Sequence, residues 1–497
     1  MIRRFGREWI LALASGALAA LSLPGFGASG LIYVALVPLL FALGRAHTVR
    51  QGTLLGFLFG LSFFAIDIRW IATLSRFNPL VVPGYLVLAV YLALLFAVVG
   101  ALLVWLRHRR SSSTWLLAAP ALFVLAEFAR TLGPFGTGFS MLHHALYRVP
   151  WLIQSASVFG SWTITGFIVA VNAALYRALR VRKLAPMVCA ALLVGVQVAF
   201  TLVPTGVDQD APDFDVALLS SDVDQEVKLD ARNLAMLTDR YLALAEEAVA
   251  QAPDLIVFPE SFLPAYILNR DDLYPRLAAV AREGACQLLF GTGEYRDRSI
   301  FNSTVLVDSA GTVVSTYSMV RPVPFGEYIP GRPILEWLGL GPWTRSLLPL
   351  DLTRGSAYEP LDGYGTPICF ESVFPIAARA FVRNGAALLV TVTNDAWFNG
   401  SSELRAHFAA AVFRSVETRR WTVQVANGGV SGVVDAAGRI RSEFIGEGVV
   451  LQHGVKRLSV VSLYARWGDA PLLVGMGLVA LAALALGAIA QRKKRGE

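Results

Sequence analysis

Residues 254–261 form the stretch Asp254-Leu-Ile-Val-Phe-Pro-Glu260-Ser261, which decides the fold of this 497-residue chain. Its apolar run predicts a buried strand, and Pro259 marks the end of that strand because proline has no backbone N–H to give to a sheet. Glu260 follows at once. A carboxylate at the carboxyl end of a strand lies where α/β sheets place their functional sites. The alternative is a loop carboxylate that caps the next helix.

Short apolar runs alternate with helical patterns on both sides of this stretch. Strands are predicted at Asp215–Leu219, Asp254–Phe258, Gln287–Gly291, Ser303–Val307, Ala387–Thr393 and Thr422–Ala426. Helices are predicted at Asp230–Gln251, Asp272–Gly284, Val373–Gly385 and Ser402–Glu417. Strands that alternate with helices are typical of an α/β domain, and residues 205–469 are predicted to form one.

The whole chain has the composition of a membrane protein. Hydrophobic residues make up 55% of it, charged residues make up 16%, and the mean hydropathy is +0.56. Soluble domains have roughly 45–50% apolar residues and about 25% charged residues. This composition excludes a disordered chain, a collagen and a purely soluble enzyme. Runs long enough to cross a bilayer, about 20 residues each or somewhat shorter, are predicted at Trp9–Ser22, Gly30–Leu43, Thr53–Ile66, Leu80–Leu106, Thr114–Phe128, Leu152–Leu175, Ala185–Leu202 and Pro471–Ala490.

The loops between these runs predict their orientation. Basic residues precede the first run and cluster in the second, fourth and sixth loops and in the C-terminal tail. Because positive charge stays cytoplasmic, both termini are expected to be cytoplasmic, with seven spans before the α/β domain and one after it. This gives a membrane domain of residues 1–204, an extracytoplasmic domain of residues 205–469, and a last span with a basic tail, residues 470–497. In a bacterial envelope the extracytoplasmic side is the periplasm.

A second segment with chemical potential is Pro367-Ile-Cys369-Phe-Glu371, at the start of a predicted helix. A thiol on a tight turn near a helix N-terminus is expected to have a lowered pKa, and a nearby carboxylate can then act as its base. The alternative is a buried structural cysteine. The other cysteines, Cys189 and Cys286, are too scattered for a disulfide framework.

Two further segments carry polar groups on predicted loops. The first, Arg321-Pro-Val-Pro-Phe-Gly-Glu327, is stiffened by its prolines and holds Glu327. The second, Thr393-Asn394-Asp395-Ala-Trp397-Phe398, follows a predicted strand. Plain turn chemistry is the alternative for both, since Pro, Gly, Asn and Asp favour turns.

These four segments, in this order, resemble the carbon-nitrogen hydrolase (nitrilase) superfamily. With the apolar region before them and one span after them, the whole chain resembles the apolipoprotein N-acyltransferase family of bacterial envelopes. The resemblance extends to further positions: Glu127, Arg130, Gly133–Gly138, Pro150-Trp151 through Gly160, Gly166, Asn172, His407, Arg414, Glu417, Arg420 and Asn427.

The resemblance implies a nitrilase-type α-β-β-α sandwich, an α/β fold, mounted on a bundle of eight transmembrane helices. It implies a Glu-Lys-Cys triad with Glu260 as general base and Cys369 as nucleophile, supported by Glu327 and Glu371. The enzyme would move an acyl chain from a membrane phospholipid, through a thioester on Cys369, to the N-terminal amino group of the diacylglyceryl-cysteine of a lipoprotein. No metal, cofactor or nucleic acid is implied, and the expected form is a monomer in the bacterial inner membrane.

The triad lysine is the main departure from the family. The family has it eight residues before the glutamate of Pro-Phe-Gly-Glu, which is Met319 here, and no lysine lies between Lys228 and Lys456. Methionine has no charge and no N–H to donate. Three interpretations stay open: Arg321 supplies the charge, the enzyme is slow or altered, or the chain is a diverged copy that binds lipid or lipoprotein without turnover.

A membrane-tethered amidase is a further alternative for the same segments. An amidase for small amides needs a closed polar pocket, whereas an acyltransferase needs an apolar groove open to the bilayer. Phe262–Leu268 and Phe325–Leu340 are candidates to line such a groove, with core packing as the alternative. Asn302-Ser-Thr matches a glycosylation pattern, and so short a match carries little weight. Asp67 and Arg69 are expected to pair in an interfacial loop.

Overall fold

The computed structural model describes residues 2–109, 114–203 and 211–495. The predicted domain boundary between residues 204 and 205 lies outside these ranges. The helices are α1 (Ile2–Leu21), α2 (Val37–Arg45), α3 (Val49–Asp67), α4 (Val81–Arg109), α5 (Thr114–Ala129), α6 (Ala156–Phe159), α7 (Trp162–Val181), α8 (Leu184–Ala199), α9 (Gln225–Leu229), α10 (Leu234–Val249), α11 (Tyr274–Gly284), α12 (Arg332–Leu335), α13 (Gly341–Leu347), α14 (Pro375–Arg383), α15 (Glu403–Thr418), α16 (Leu463–Trp467) and α17 (Ala470–Arg495).

Several helices of the apolar region could cross a membrane. By length and composition, four segments within the described ranges qualify: Val49–Arg76, Val81–Arg109, Trp162–Val181 and Leu184–Leu202. Shorter apolar helices accompany them at Ser29–Arg45, Thr114–Ala129 and Ala470–Leu486. The membrane character predicted from the sequence is thus supported, while the number of eight spans stays a prediction.

The predicted span Leu152–Leu175 is wrong at its start. Helix α7 begins only at Trp162, and the preceding chain forms short turns. Gly160 has a φ of +83°, which ends α6, and a Cβ there would lie 2.6 Å from the ring of Tyr464. Glycine meets both demands because it has no Cβ and tolerates positive φ.

Helices α3 and α4 pack at unusually close range. A Cβ at Gly56 would overlap the carbonyl oxygen of Phe96, and one at Gly100 would overlap that of Gly52. Small residues spaced four apart let two helix backbones approach, which is the common packing device inside membranes.

The region after α8 contains two sheets. Their strands are β1 (Asp213–Ser220), β2 (Leu255–Val257), β3 (Gln287–Arg296), β4 (Ser299–Val307), β5 (Val313–Ser318), β6 (Tyr364–Gly365), β7 (Leu388–Asn394), β8 (Thr422–Asn427), β9 (Ser431–Val434), β10 (Ile440–Phe444) and β11 (Gly448–Lys456). One sheet has the order β11-β1-β2-β3-β4-β5 and the other β10-β9-β8-β7-β6. Both are mixed. In the first sheet β1, β2 and β3 run parallel while β3 and β4 are antiparallel. In the second sheet β6, β7 and β8 run parallel while β8 and β9 are antiparallel. All six predicted strands are present.

Side-chain alternation along the strands builds a four-layer sandwich. Val216 and Leu218 of β1 point into the core shared with the other sheet, where Val390 of β7 lies. Ala217 and Leu219 point the other way, to a core shared with α10 and α11. Since successive strand residues face opposite sides, β1 contributes side chains both to the core between the sheets and to the core between its sheet and the helices. Helix α15 covers the outer face of the second sheet, and its Phe408 and Val412 share a cluster with Val430 and Val434.

The sandwich is joined to the apolar helices through buried polar contacts. Arg419, at the end of α15, donates to Gln154 Oε1 at 2.8 Å and to Ser157 Oγ at 2.9 Å. Glu417 accepts from the backbone N–H of Ser161 at 3.2 Å. Because these groups are buried and need partners, they fix the orientation of the sandwich on the membrane region.

The expected loop pair of Asp67 and Arg69 is wrong. Asp67 ends α3 in a buried position and accepts a hydrogen bond from Ser140 Oγ. The Arg69 guanidinium lies 4.7 Å from the ring centre of Phe26 instead. The buried hydroxyl provides the partner that Asp67 requires, which the sequence pattern did not reveal.

Candidate active site

Cys369 opens a tight 3-10 turn, Cys369–Val373, directly after a bridge that pairs Ile368 with Val392 of β7. Its φ of +46° is uncommon for a residue with a Cβ. The strain is held by two contacts to the Cys369 carbonyl, since Ser372 Oγ donates to it at 2.8 Å and His407 Nε2 lies 3.1 Å from it. Strained residues fixed in this way occur at functional sites, and the half-buried thiol is the group this turn presents.

The thiol is not activated by its turn alone. Burial raises the pKa of Cys369 well above its usual value, and the charges of Glu260 and Asp395 raise it further. The predicted lowering is therefore wrong, because the turn has only five residues and is surrounded by carboxylates. A base must remove the proton before this thiol can attack.

Glu260 lies where a base for this thiol is predicted. It follows β2 at the carboxyl end of the strand, is 8% exposed, and lies close enough to Cys369 for the two groups to interact electrostatically. The neighbouring β3 comes close at Gly291, where a Cβ would lie 2.5 Å from the Glu260 Cα. Burial raises the pKa of the Glu260 carboxyl, which makes it a better proton acceptor than a solvent-exposed glutamate.

Asn302 links two carboxylates of the site. Its Nδ2 donates to Glu260 Oε1 at 2.6 Å and to Glu327 Oε1 at 3.0 Å. It is buried on β4, so the glycosylation pattern has no bearing on it. Sequence reasoning missed this role. The available signal was an asparagine directly before the predicted strand Ser303–Val307, where a buried amide would need a partner.

Two further glutamates lie beside Glu260 and Cys369: Glu371 is buried, and Glu327 is half-buried. Glu327 accepts from the Val323 N–H at 2.7 Å, and burial, followed by the charge of Glu260, raises its pKa to about 7. Glu371 accepts from the Tyr317 hydroxyl at 2.6 Å and from the N–H of Val320 at 3.0 Å. Glu371 thereby ties the end of β5 to the cysteine turn. Burial raises its pKa also to about 7.

A second buried cluster lies behind the cysteine. His407 Nδ1 is 3.0 Å from Asp395 Oδ1 and 3.6 Å from Glu403 Oε1. Burial opposes a charge on His407, but Asp395 outweighs it and the pKa rises to about 9. These three residues have ligand atoms within 4.8 Å of one another and could in principle hold a metal. A protonated His407 already neutralises one carboxylate, and Thr393 donates to Asp395 at 2.6 Å.

Comparisons with known proteins agree with this architecture. A model of the apolipoprotein N-acyltransferase N-terminal domain matches residues 15–174, and a carbon-nitrogen hydrolase model matches residues 227–451. The apolipoprotein N-acyltransferase of Geobacter metallireducens is 33% identical over 491 residues, covering 93% of this chain and 92% of that protein. The chain belongs to the apolipoprotein N-acyltransferase family.

Other matches include a second acyltransferase. The apolipoprotein N-acyltransferase of Thermotoga maritima is 31% identical over 489 residues, covering 92% of this chain and 90% of that protein. The crystal structure of an amidase from Nesterenkonia sp. has 20% identity and a TM-score of 0.39, and covers 54% of this chain and 98% of that chain. The family matches confirm the predicted resemblance and the carbon-nitrogen hydrolase fold. They support an acyltransferase rather than its non-catalytic alternative.

Met319, the residue predicted to stand at the position of the family's lysine, is buried at 2% exposure. Its Sδ lies 3.9 Å from Asn302 Nδ2, beside the two carboxylates that Asn302 links. A thioether is at most a weak acceptor. The acyltransferase family's usual cation is therefore missing from this side of Glu260.

Arg321 does not take over that charge. Its guanidinium lies 3.6 Å from the ring centre of Phe374 and donates to the Thr131 carbonyl at 2.8 Å. The side chain therefore points to the membrane region and stacks on an aromatic ring, which a planar guanidinium favours. The prediction that Arg321 supplies the triad's charge finds no contact to support it among the described residues.

Lys228 reaches the site from the other side of Glu260. It lies on α9, is 4% exposed, and its Nζ donates to the Glu260 carbonyl at 2.9 Å. Burial lowers its pKa to about 8, while the charges of Glu260 and Cys369 act to raise it. From the sequence, Lys228 is expected beside the entrance of the site, but it was assigned no role in the reaction because it lies far before the triad motifs. The signal was its rarity, since Lys228 and Lys456 are the two lysines between residues 184 and 492.

The loops around the site rest on the membrane region. Tyr328 donates to the Pro134 carbonyl at 3.3 Å, and Phe325 stacks on Phe135 with ring centres 6.1 Å apart. On the other side, Arg76 donates to the Ala396 carbonyl at 2.8 Å. The loops beside the site therefore pack against the apolar region.

Proposed function

We propose that this chain transfers an acyl chain from a membrane phospholipid to the N-terminal amino group of the diacylglyceryl-cysteine of bacterial lipoproteins. The observation that carries the proposal is the placement of the Cys369 thiol beside the buried carboxylate of Glu260, close enough for the two groups to interact electrostatically. A thiol paired with a base performs covalent acyl transfer, because a thioester divides one difficult step into two easier ones.

In the first half-reaction Glu260 takes the thiol proton, and Cys369 Sγ attacks the ester carbonyl of the phospholipid. The tetrahedral intermediate then collapses, the carbon–oxygen bond breaks, and Glu260 returns the proton to the departing lysophospholipid hydroxyl. In the second half-reaction the lipoprotein amine attacks the thioester. An amide forms, the carbon–sulfur bond breaks, and the amine's proton passes through Glu260 to the thiolate.

The remaining carboxylates would hold this machinery in place. Glu327, whose pKa is about 7, shares Asn302 with Glu260 and so responds to its charge. Glu371 fixes the cysteine turn against the end of β5 through its bonds to Tyr317 and Val320. Catalytic geometry has to be held within fractions of an ångström, and buried hydrogen-bonded carboxylates supply that rigidity.

An exposed apolar arm favours a lipid substrate over a small amide. The segment Arg332–Leu347, comprising α12, a π-turn and α13, follows directly on the loop that holds Glu327. Trp337 is 83% exposed and Ile334 is 65% exposed. Large apolar side chains adjacent to one another on a surface mark contact with a membrane or ligand. This supports a site open to acyl chains, as the acyltransferase requires and the amidase does not.

The membrane arrangement is part of the same proposal. It comprises eight spans in the bacterial inner membrane, both termini cytoplasmic, and a periplasmic sandwich of residues 205–469 between residues 1–204 and 470–497. Basic loops and the apolar helices support it. The protein would act as a monomer, because both substrates reach one site from the bilayer.

The test is the intact mass of the purified protein after incubation with phospholipid. We expect a gain of one acyl chain that hydroxylamine removes and that Cys369→Ala lacks. A gain that persists in Cys369→Ala would place the acyl group elsewhere. No gain under conditions in which Met319→Lys gains one would reinstate the non-catalytic alternative.

A further inference from the structure

The chemistry at Cys369 requires a positive charge that the usual position does not provide. Proton transfer to Glu260 moves the negative charge to the Cys369 sulfur, and attack on a carbonyl moves it to the substrate oxygen, near the half-buried Glu327 and the buried Glu371. Positive donors aimed at such developing charge are the largest single contribution in many enzymes. Met319 contributes none, and Asn302 is a neutral donor already shared by two carboxylates.

The other nearby cations of the described residues are engaged elsewhere. Arg321 stacks on Phe374 and donates to the membrane region. His407 uses Nδ1 toward Asp395 and Nε2 toward the backbone carbonyl of Cys369. Neither one presents a free donor to the thiol or to Glu260.

Lys228 is different because it is buried beside both reacting groups. Its Nζ uses one of its three N–H donors, to the Glu260 carbonyl at 2.9 Å. Glu260 and Cys369 lie close enough for their charges to act on it. In the described part of the chain no other hydrogen bond of this ammonium is seen, so two donors are available to a substrate oxygen.

The segment that carries Lys228 is held firmly. Val223 exchanges two hydrogen bonds with the Asn427 side chain, at 2.8 and 2.9 Å. Gln225 accepts from Asn394 Nδ2 at 2.8 Å. These contacts anchor α9 to the ends of β7 and β8, so the ammonium is positioned before substrate arrives, as electrostatic catalysis requires.

We propose that Lys228 supplies the positive charge of the active site, in place of the lysine that the family has at the position of Met319. It donates to the oxyanion of the tetrahedral intermediate and stabilises the thiolate of Cys369. No bond beyond those of the acyl transfer is formed. The proposal rests on the proposed function for its oxyanion role, but its effect on the thiolate is independent of that function.

Two readouts test this proposal. The first is the initial rate of acyl-thioester formation from phospholipid vesicles, followed by intact mass between pH 6 and pH 9.5. The second is the rate of Cys369 alkylation by iodoacetamide, a neutral reagent that needs no acyl substrate. The variants are Lys228→Met, Lys228→Arg and the double variant Lys228→Met/Met319→Lys. Lys456→Met is the matched control, since Lys456 pairs with Asp213 at 2.5 Å, away from the site.

We expect Lys228→Met to slow thioester formation about a hundred- to a thousand-fold, the usual effect of losing one such donor. It should also slow alkylation at neutral pH. Met319→Lys in that background should recover at least about tenfold of the acylation rate, because a cation returns on the other side of Glu260. The natural protein should lose activity above about pH 8 as Lys228 gives up its proton. Lys228→Arg should not, since arginine stays charged.

Three results would overturn the proposal: a Lys228→Met rate within threefold of the natural one, an unchanged alkaline limb in Lys228→Arg, or no rescue by Met319→Lys. If Lys228→Met fails to fold, the alkaline limb of the Lys228→Arg pH–rate profile tests the charge role. If the natural protein forms no thioester, the rate of Cys369 alkylation by iodoacetamide still tests it. A slower alkylation in Lys228→Met that Met319→Lys restores would support the charge role while the acyltransferase function fails. If the natural protein forms no thioester and Lys228→Met leaves the alkylation rate unchanged, both the charge role of Lys228 and the acyltransferase function are rejected.

Discussion

Replacing Lys228 by methionine is expected to stabilise the fold while it removes activity. The pKa of Lys228 is about 8, against 10.5 for an ordinary lysine. One pKa unit corresponds to about 1.4 kcal/mol, so keeping this ammonium charged inside the protein costs about 3 kcal/mol. Methionine has a similar length, carries no charge and has no polar hydrogen to satisfy.

One opposing effect reduces the gain. The Glu260 carbonyl loses the hydrogen bond that Lys228 now donates, and an unsatisfied buried carbonyl costs about 1–2 kcal/mol. The net stabilisation of Lys228→Met should therefore be about 1–2 kcal/mol at pH 7. Because the folded-state pKa lies below the unfolded one, the charged ammonium destabilises fully below about pH 8. Its cost fades between pH 8 and 10.5, and the advantage of the variant should fade with it.

Thermal unfolding of the detergent-solubilised protein, followed by tryptophan fluorescence at pH 7 and pH 9.5, measures this effect. A rise of about 2–8 °C is expected at pH 7, since 1 kcal/mol shifts the midpoint by about 2–4 °C for a domain of this size. Lys456→Met should show no rise, because that lysine is paired at the surface with Asp213. A midpoint several degrees lower for Lys228→Met would refute the reasoning and make the buried ammonium a stabilising group.

Three further predictions concern the base, the amide link and the helix packing. Glu260→Gln should slow thioester formation at pH 7 by about 10²–10⁴-fold, the usual contribution of a general base; a loss below tenfold by intact mass would point to another base. Asn302→Leu should shift the acid limb of the pH–rate profile to higher pH, because Asn302 lowers the pKa of Glu260; an unmoved limb would contradict this. Gly56→Leu should sharply reduce the yield of monodisperse protein, because its side chain would meet α4 backbone. Gly84→Leu, with open space around it, is the control that should leave the yield unchanged.

The elements that the sequence predicted well are those with a local cause. The strand of Leu255–Val257 follows from a short apolar run ended by Pro259, and Glu260 follows from its position after that strand. Cys369 was found in the same way, from a turn between an apolar run and a helix. Such features depend on neighbouring residues along the chain, so a single sequence contains their whole explanation.

The features that the sequence did not predict depend on the packing of distant segments. Asn302 meets Glu260 because β4 pairs with β3, which in turn pairs with β2, the strand that Glu260 follows. Lys228 meets Glu260 because α9 is fastened to strand ends some 200 residues later. Arg321 was expected at the site from its place in the loop, but Phe374 offers its guanidinium a better position. A pattern along the chain shows which residues are available, not where a long side chain ends.

The base, the nucleophile and the positive charge depend differently on geometry, and this explains why only the positive charge can come from a different position in the chain. A base and a nucleophile must share a hydrogen bond, so Glu260 and Cys369 have to keep their positions within tenths of an ångström. A charge acts through Coulomb's law, which weakens gradually with distance and has no preferred direction. A lysine on either side of Glu260 can therefore serve, provided that it is buried and protonated. At the position predicted for the family's lysine Met319 fills the space, and Asn302 donates the hydrogen bonds that link Glu260 and Glu327.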